Sequence, residues 1–185
     1  MRAAIDLVTE RGTAAVSISD IAETADVSRP VVYQHFGDRE TLLLAATLDL
    51  AERELLPGIT GTAGADPRDR ALAVARHFAG HRAFYRAMLM SSSGFALNSS
   101  LSALLIPVNR QLVEPLSGST LDPQGAEDLA MFLTGGVAAL VNMWVVEGAD
   151  PLDPEVFTDR LMRMMPIATA GLRQPQTTRD TEPDE

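Results

Sequence analysis

The sequence has no cysteine and no lysine among its 185 residues, and aromatic residues make up only 5% of it. Without cysteine the chain has no disulfide, no zinc–thiolate site and no thiol nucleophile. No apolar run approaches the roughly 20 residues that span a bilayer, and no basic segment followed by a long apolar stretch stands at the N-terminus. These absences predict a cytoplasmic chain without a membrane partner.

Positive charge is also scarce. The fifteen basic residues, all arginine, stand against 25 acidic ones, which gives a formal net charge of −10. Residues 1–56 hold five arginines against ten acidic residues, a net charge of −5. Because Lys and Arg contacts to phosphate supply most of the nonspecific affinity for nucleic acid, any DNA-binding function has to rest on a local patch and on specific geometry.

Strand signals are almost absent as well, because apolar residues recur at spacings of three and four instead of alternating. The pattern predicts an all-α chain of about nine helices without internal repeats. We expect a three-helix N-terminal domain over residues 1–45 and a helical bundle over 46–171. Residues 172–185 are polar and contain proline, which predicts a disordered tail.

Helix start and stop signals are clear in the first 66 residues. The expected helices are Arg2 to Arg11, ended by Gly12; a short helix capped by Ser17 or Ser19; one from Ser28 to near Phe36; and one from Asp38 to about Leu56. Asp26 falls at a turn and can adopt positive φ. Pro57 and Gly58 predict the end of the fourth helix and a loop over 57–66.

Five further helices are expected beyond this loop. They run from Pro67 to about Gly80, His81 to Met90, Phe95 to Leu116 with a kink or interruption at Pro107, Asp122 to Gly148, and Pro154 to Gly171.

The segment from Ser28 to Phe36 has the character of a recognition helix, since three short helices with a tight second link form a helix-turn-helix. Pro30 falls in the first turn, where its missing N–H breaks no hydrogen bond. Val32 and Phe36 face the core. The outer positions carry Arg29, Val31, Tyr33, Gln34 and His35. Arg can pair with guanine, Gln with adenine and Val with a thymine methyl, whereas Tyr and His suit phosphate oxygens.

Residues 16–43, VSISDIAETADVSRPVVYQHFGDRETLL, resemble the tetracycline-repressor (TetR) family of transcriptional regulators. The shared features are the hydroxyl cap, Ile-Ala in the second helix, Val-Ser at the turn, Tyr-x-His-Phe and the Asp-basic-Glu-x-Leu opening of the fourth helix. Asp26 departs from the glycine usual at the turn. The resemblance implies binding to double-stranded DNA, with bases facing Arg29, Pro30, Val31 and Gln34, and phosphates held by Ser17, Ser28, Tyr33, His35 and Arg39.

Residues 127–148 are apolar on more than one face and therefore have to be buried on two sides. Gly135 and Gly136 each cost about 1 kcal/mol in mid-helix, which favours close helix approach there. In the TetR family the last two helices form a four-helix homodimer interface. The resemblance makes Gly135, Gly136, Leu161, Met162, Met164 and Met165 candidates for it. An internal core helix in a monomer is the alternative.

A pocket in such a bundle is mostly apolar with a few convergent polar groups. The candidates for binding a small, largely apolar effector are Phe78, Arg82, Tyr85, Arg86, Met88, Leu89, Phe95, Leu104, Val108, Gln111, Phe132, Asn142, Met143 and Trp144. Each of them also fits a plain core position.

The resulting hypothesis is a dimeric repressor that a small effector releases from a palindromic operator. The alternative is a helical interaction protein that has lost DNA binding, as the acidic N-terminal region permits. No nucleophile elbow, phosphate-cradling loop or outstanding carboxylate pair indicates an enzyme, and no cofactor is expected. His77 and His81 share a helical face, but no third ligand lies in sequence reach, so no metal site is predicted.

Overall fold

The computed structural model describes residues 1–61, 66–117 and 121–168, and this part of the chain is helical with connecting turns and no strand. The all-α prediction is therefore confirmed. The helices are α1 (Arg2–Arg11), α2 (Ile18–Thr24), α3 (Arg29–Phe36), α4 (Arg39–Leu50), α5 (Leu56–Thr60), α6 (Pro67–Gly80), α7 (Arg82–Leu89), α8 (Gly94–Ser117), α9 (Pro123–Glu147) and α10 (Pro154–Ala168).

Local sequence signals determine several helix boundaries in the first 40 residues. Gly12 ends α1 with φ 63°, a left-handed conformation that glycine adopts without steric cost. Ser17, not Ser19, caps α2, since its hydroxyl accepts a hydrogen bond from the Asp20 N–H at 3.1 Å. The Asp38 carboxylate caps α4 through the Thr41 N–H at 2.8 Å. This bond to the ionised form holds the pKa of Asp38 below its usual range.

The fourth helix does not end at Pro57 and Gly58 as expected. After α4, one turn of π-helix over Ala51–Leu55 leads directly into α5, so helical backbone continues to Thr60. Pro57 lies in the first turn of α5, where a missing N–H is tolerated. A Cβ on Gly58 would lie only 3.0 Å from the Cβ of Ala73, so the glycine allows α5 to lie close against α6.

The bundle of α6 to α10 continues the N-terminal core, because one cluster of buried side chains extends from Ala4 in α1 to Leu161 in α10. Helix α8 passes through Pro107 without interruption. It packs along α9 in antiparallel orientation: Asn142 donates to the Asn98 side chain at 2.8 Å, and Asn109 donates to Thr134 at 2.7 Å. Helix α10 packs mainly on α6.

Helix α9 corrects the expectation that no segment is long and apolar enough to span a bilayer. Pro123–Glu147 meets that test by length and composition, and most of its apolar window is not buried within the chain. A core helix of a soluble protein meets the same test, but this helix leaves one apolar side uncovered. The predicted tail, 172–185, and residues 62–65 of the predicted 57–66 loop lie outside the described residues.

Candidate nucleic-acid interface, cavity and apolar face

Helix α3 presents nearly all of its side chains to solvent. Val32 is buried against the core and Phe36 is half-buried beside it. The predicted DNA-contacting residues of α3 are all exposed: Arg29, Pro30, Val31, Tyr33, Gln34 and His35. The structure therefore brings them together on one outward surface, with Val31 46% and Tyr33 54% exposed.

The start of α3 differs in one detail from the expected cap. Ser28 occupies the N-cap position in extended conformation, but its hydroxyl makes no capping hydrogen bond. Its carbonyl accepts from the Val31 N–H at 3.1 Å. Because the Ser28 side chain is exposed, its hydroxyl faces solvent at the start of α3.

The turn between α2 and α3 is held by a left-handed residue. Asp26 has φ 52°, as its position in the sequence indicated. The Val27 N–H donates to the Ala22 carbonyl at 3.0 Å across it, which closes the end of α2. An exposed carboxylate thus lies directly before the recognition helix.

Charge in the N-terminal region is distributed unevenly. Arg11 pairs with Asp20, and this bond lowers the pKa of that carboxyl. Arg53 pairs with Asp49. Within the described part of the chain, the remaining arginines of residues 1–56, namely Arg2, Arg29 and Arg39, form no ion pair. Arg39 opens α4 and is exposed, and Ser17 is exposed at the start of α2.

A cavity of about 400 Å³ lies in the bundle between α5, α6, α8, α9 and α10. Its wall is mostly apolar and includes Ile59, Val74, Phe78, Leu101, Leu105, Leu112, Leu133, Val137, Val141, Leu161, Met162 and Met165. Polar groups enter it from Arg70, Asn98, Ser102, Asn109, Thr134 and Asn142. Residues 98, 102, 105, 109 and 112 recur at helical spacing, and this stripe on α8 was the sequence signal that could have identified the wall.

Few of the predicted effector residues line this cavity. Phe78 and Asn142 do. Tyr85 and Met88 are fully buried in the core, and Leu89, Leu104, Val108 and Trp144 are half-buried against it. Phe95, Gln111, Phe132 and Met143 are exposed and lie outside the cavity wall.

Arg82 does not line the cavity and makes structural hydrogen bonds instead. Its guanidinium donates to the carbonyls of Val145 at 3.2 Å, Gly148 at 2.6 Å and Ala149 at 3.1 Å. These are carbonyls at the C-terminal end of α9, where a cation also faces the negative end of the helix dipole. Arg86 adds a bond to the Val146 carbonyl at 3.3 Å.

The predicted dimer residues divide into two groups. Leu161, Met162 and Met165 line the cavity. Gly135 and Gly136 are exposed, and a Cβ on either would meet no atom within 4 Å. The described residues of the chain therefore do not make the close helix approach expected at these glycines. Large apolar side chains are exposed on the same two helices: Met131, Phe132 and Met143 on α9, and Val156, Met164 and Ile167 on α10.

A group of polar side chains joins the π-helical turn to α6 and α7. His81 Nε2 lies 2.7 Å from Glu54 Oε2, and this bond lowers the pKa of Glu54. His77 Nε2 lies 2.8 Å from the Tyr85 hydroxyl. Burial lowers the pKa of His77 to about 4 and raises that of Tyr85.

Known proteins match the N-terminal part of this chain by sequence and nearly the whole chain by fold. Residues 1–46 match the model of the tetR family of bacterial regulatory proteins. An HTH-type transcriptional repressor of Mycobacterium tuberculosis is 42% identical over 72 residues, which are 39% of this chain and 38% of that protein. The alignment therefore spans well under half the length of this relative.

Solved structures match nearly the whole chain. A fatty acid degradation regulator from Bacillus halodurans superposes with a TM-score of 0.64 at 18% identity, over 93% of this chain and 97% of the other. A TetR-like transcriptional regulator from Rhodococcus sp. RHA1 superposes with a TM-score of 0.52 at 26% identity, over 92% of each chain.

These matched proteins are regulators, which supports the prediction that the chain is not an enzyme. The N-terminal domain carries the sequence of one family, and the helices that follow it have that family's fold. Residues 1–46 therefore match the tetR family of bacterial regulatory proteins in sequence, and the chain as a whole is similar in fold to a TetR-like transcriptional regulator.

Proposed function

We propose that the chain is a dimeric, sequence-specific DNA-binding transcriptional regulator of the cytoplasm, most simply a repressor that a small apolar effector releases from a palindromic operator. The observation that carries this proposal is helix α3. One buried residue, Val32, and the half-buried Phe36 hold the helix, while Arg29, Val31 and Gln34 point outward. These three side chains can read guanine, thymine and adenine edges in a major groove.

The charge distribution supports DNA binding despite the net charge of −5. Two of the five N-terminal arginines are engaged by Asp20 and Asp49. Arg29 and Arg39 bracket the recognition helix and have no such partner among the described residues. They supply cations where phosphates and bases would lie, with Ser17, Ser28, Tyr33 and His35 as further phosphate contacts.

The uncovered apolar side of α9 and α10 supports a second copy of the chain as its occupant. We define the dimer face as Met131, Phe132, Gly135, Gly136, Ala139, Met143, Val156, Met164 and Ile167. Apolar patches of this kind on soluble proteins mark interfaces, and the two glycines leave room for a facing helix. Two-fold symmetry would place two α3 helices about 34 Å or more apart, as a palindromic operator requires.

The cavity supports a small, largely apolar effector. Its size and its few polar groups are those of small-molecule sites. The side-chain amides of Asn142 and Asn109 already donate to Asn98 and Thr134, so an apolar molecule can enter without breaking these bonds. The polar groups of the wall outside these two bonds are few, with Arg70 and Ser102 among them.

The continuous helix from α4 to α5 supports a route from effector to DNA. Ile59 of α5 lies in the cavity wall, and α4 begins immediately after the recognition helix. An effector that pushes on α5 would reorient α4 and with it α3. Such a switch requires that the effector bind the DNA-free arrangement more tightly than the DNA-bound one.

Selection of bound DNA from a random double-stranded pool tests the DNA-binding function directly. The expected product is a two-fold symmetric sequence whose half-sites are separated by about one helical turn or a multiple of it. A folded dimer that enriches no sequence at low salt would contradict the proposal and favour the alternative, an interaction protein on the same scaffold. The acidic N-terminal region is the observation that favours this alternative.

Blocking the cavity tests the effector function. Ser102 lines the cavity, whereas its neighbour Ala103 is exposed and does not. Calorimetry of an apolar small-molecule panel should identify a compound that loses binding in Ser102→Phe and retains it in Ala103→Phe. Equal binding to both variants would place the compound elsewhere, and no response to any panel member in the unmodified protein would contradict an apolar effector.

A further inference from the structure

Three ligand-type side chains that are distant in sequence meet on one side of the bundle. Glu54 comes from the π-helical turn, His77 from α6, and His81 from the residue between α6 and α7. One donor atom from each of the three lies within 4.8 Å of the others. The third ligand that the sequence did not provide beside the His77–His81 pair is thus Glu54, 23 residues upstream of His77 and brought to it by the packing of the π turn on α6.

The donor set fits a divalent transition metal. Two imidazole nitrogens and one carboxylate oxygen are ligands that Zn²⁺ binds in open sites with a fourth position for water. Metal–ligand bonds of about 2.0–2.2 Å in a tetrahedron place donor atoms about 3.3 Å apart. The most distant pair of donor atoms therefore has to close by up to about 1.5 Å, whereas His81 Nε2 and Glu54 Oε2, which lie 2.7 Å apart, have to separate slightly. We propose that Glu54, His77 and His81 form a binding site for a divalent transition metal of the Zn²⁺ type.

The three side chains differ in exposure in the way that such a rearrangement requires. His77 is buried and lies 2.8 Å from the Tyr85 hydroxyl, so its imidazole has a fixed position and an outer-shell partner. The Glu54 and His81 side chains are 49% and 28% exposed and lie at the surface. They can rotate around a metal anchored on His77, and the metal can enter from solvent.

A metal at this site would link two parts of the fold. Glu54 belongs to the segment that continues α4 away from the recognition helix, whereas both histidines belong to the α6–α7 corner of the bundle. The His81–Glu54 hydrogen bond already joins these two elements. A bound metal would join the same elements through three bonds, which stabilises the folded chain by mass action.

Zn²⁺ titration of the full chain, followed by calorimetry and thermal unfolding, tests the site. Co²⁺ adds a spectroscopic readout, because tetrahedral coordination gives intense visible absorption. The chain should bind Zn²⁺ at one site per protomer and unfold at a higher temperature with it. Glu54→Gln and His81→Gln, both at exposed or half-exposed positions, should each weaken binding by about tenfold or more, the loss that even outer-shell changes can cause.

The third histidine of the chain is the matched control. His35 lies exposed on α3, far in sequence from the cluster, so His35→Gln should keep Zn²⁺ affinity and the Co²⁺ spectrum unchanged. Glu54→Gln and His81→Gln variants that bind Zn²⁺ as tightly as the unmodified chain would overturn the assignment. A Zn²⁺ response lost equally in His35→Gln, or absent from the unmodified chain, would overturn it too.

Discussion

Arg29 combines three properties at the residue scale: it opens the recognition helix, it is exposed, and it has no ion-pair partner among the described residues. Replacing it with alanine should remove a base contact and weaken operator binding by about 1–3 kcal/mol, or roughly 5- to 150-fold, with relaxed specificity at one base pair. Fluorescence anisotropy with the selected operator and with single-base variants of it measures both effects.

Arg53 provides the matched control for Arg29. It carries the same charge, but it pairs with Asp49 on the helix that leads away from α3. Arg53→Ala should leave operator affinity within about twofold, since an engaged surface ion pair contributes little. If both alanine variants lost affinity equally, the effect would come from net charge and not from base recognition by Arg29.

Asp26 holds a left-handed backbone and places a negative charge beside the recognition helix. Asp26→Asn keeps a residue type that tolerates this conformation and removes the charge. It should tighten DNA binding while the free energy of unfolding changes by less than about 1 kcal/mol. The measurements are operator affinity at several salt concentrations and urea denaturation.

Asp26→Gly separates charge from backbone at the same site. The glycine variant also loses the charge and should tighten DNA binding to the same extent as the asparagine variant. Tighter binding in the glycine variant alone would show that backbone strain, and not charge, limits the affinity.

At the scale of helices, sequence predicts ends that are determined locally. Gly12, Asp26 and Asp38 act through their own conformation or a hydrogen bond three residues away, so their effect is readable from the sequence. The end at Pro57 was wrong because tertiary packing decides there. Ile59 is buried and Gly58 contacts α6, which stabilises a turn of helix that local signals do not favour.

Side-chain direction on apolar helices is the part that sequence could not supply. Helix α9 is apolar on several faces, so the sequence does not indicate which of its apolar residues face the cavity. Phe132 is 68% exposed, whereas Val137 lines the cavity. On α10, Leu161 was predicted to lie in the dimer interface, but it lines the cavity. Only the relative placement of helices distinguishes these positions.

Gly135 and Gly136 provide a test of the proposed helix contact across the dimer. Both are exposed within α9 and contact nothing at the Cβ position, so alanine fits each without steric conflict in one chain. Gly135→Ala plus Gly136→Ala should stabilise the isolated helix by up to about 2 kcal/mol through helix propensity. The same change should weaken dimerisation, because the added methyl groups separate the facing helices.

Sedimentation and thermal unfolding of this double variant measure both effects. Gly80→Ala serves as a control for propensity, since this helical glycine also has an open Cβ position but lies on α6 outside the dimer face. Unchanged dimer affinity in the Gly135 and Gly136 double variant would exclude them from the contact.

At the scale of the whole molecule, the exposed apolar side chains of α9 and α10 predict the oligomeric state. Phe132→Glu places a charge where the proposed dimer buries an aromatic ring. The variant should be monomeric by light scattering at concentrations where the unmodified chain is dimeric, because an unpaired charge at an interface costs several kcal/mol. It should also lose cooperative binding to a two-half-site operator.

Met90→Glu is the control for Phe132→Glu. Met90 is 64% exposed at the end of α7, outside the dimer face, so the same change in charge should leave the dimer intact. A Phe132→Glu variant that stays dimeric would show that a different surface mediates dimerisation. An unmodified chain that instead partitions into lipid vesicles would show that α9 meets a membrane.

The stacking of Trp144 on Phe157 has a practical consequence for following all of these transitions. The rings lie 4.2 Å apart and link α9 to α10 one turn beyond cavity residues Val141 and Leu161. Trp144 is the sole tryptophan of the chain. Tryptophan emission therefore comes from a single indole beside the cavity, so it would provide a label-free optical reporter of the proposed effector binding and of the proposed dimerisation.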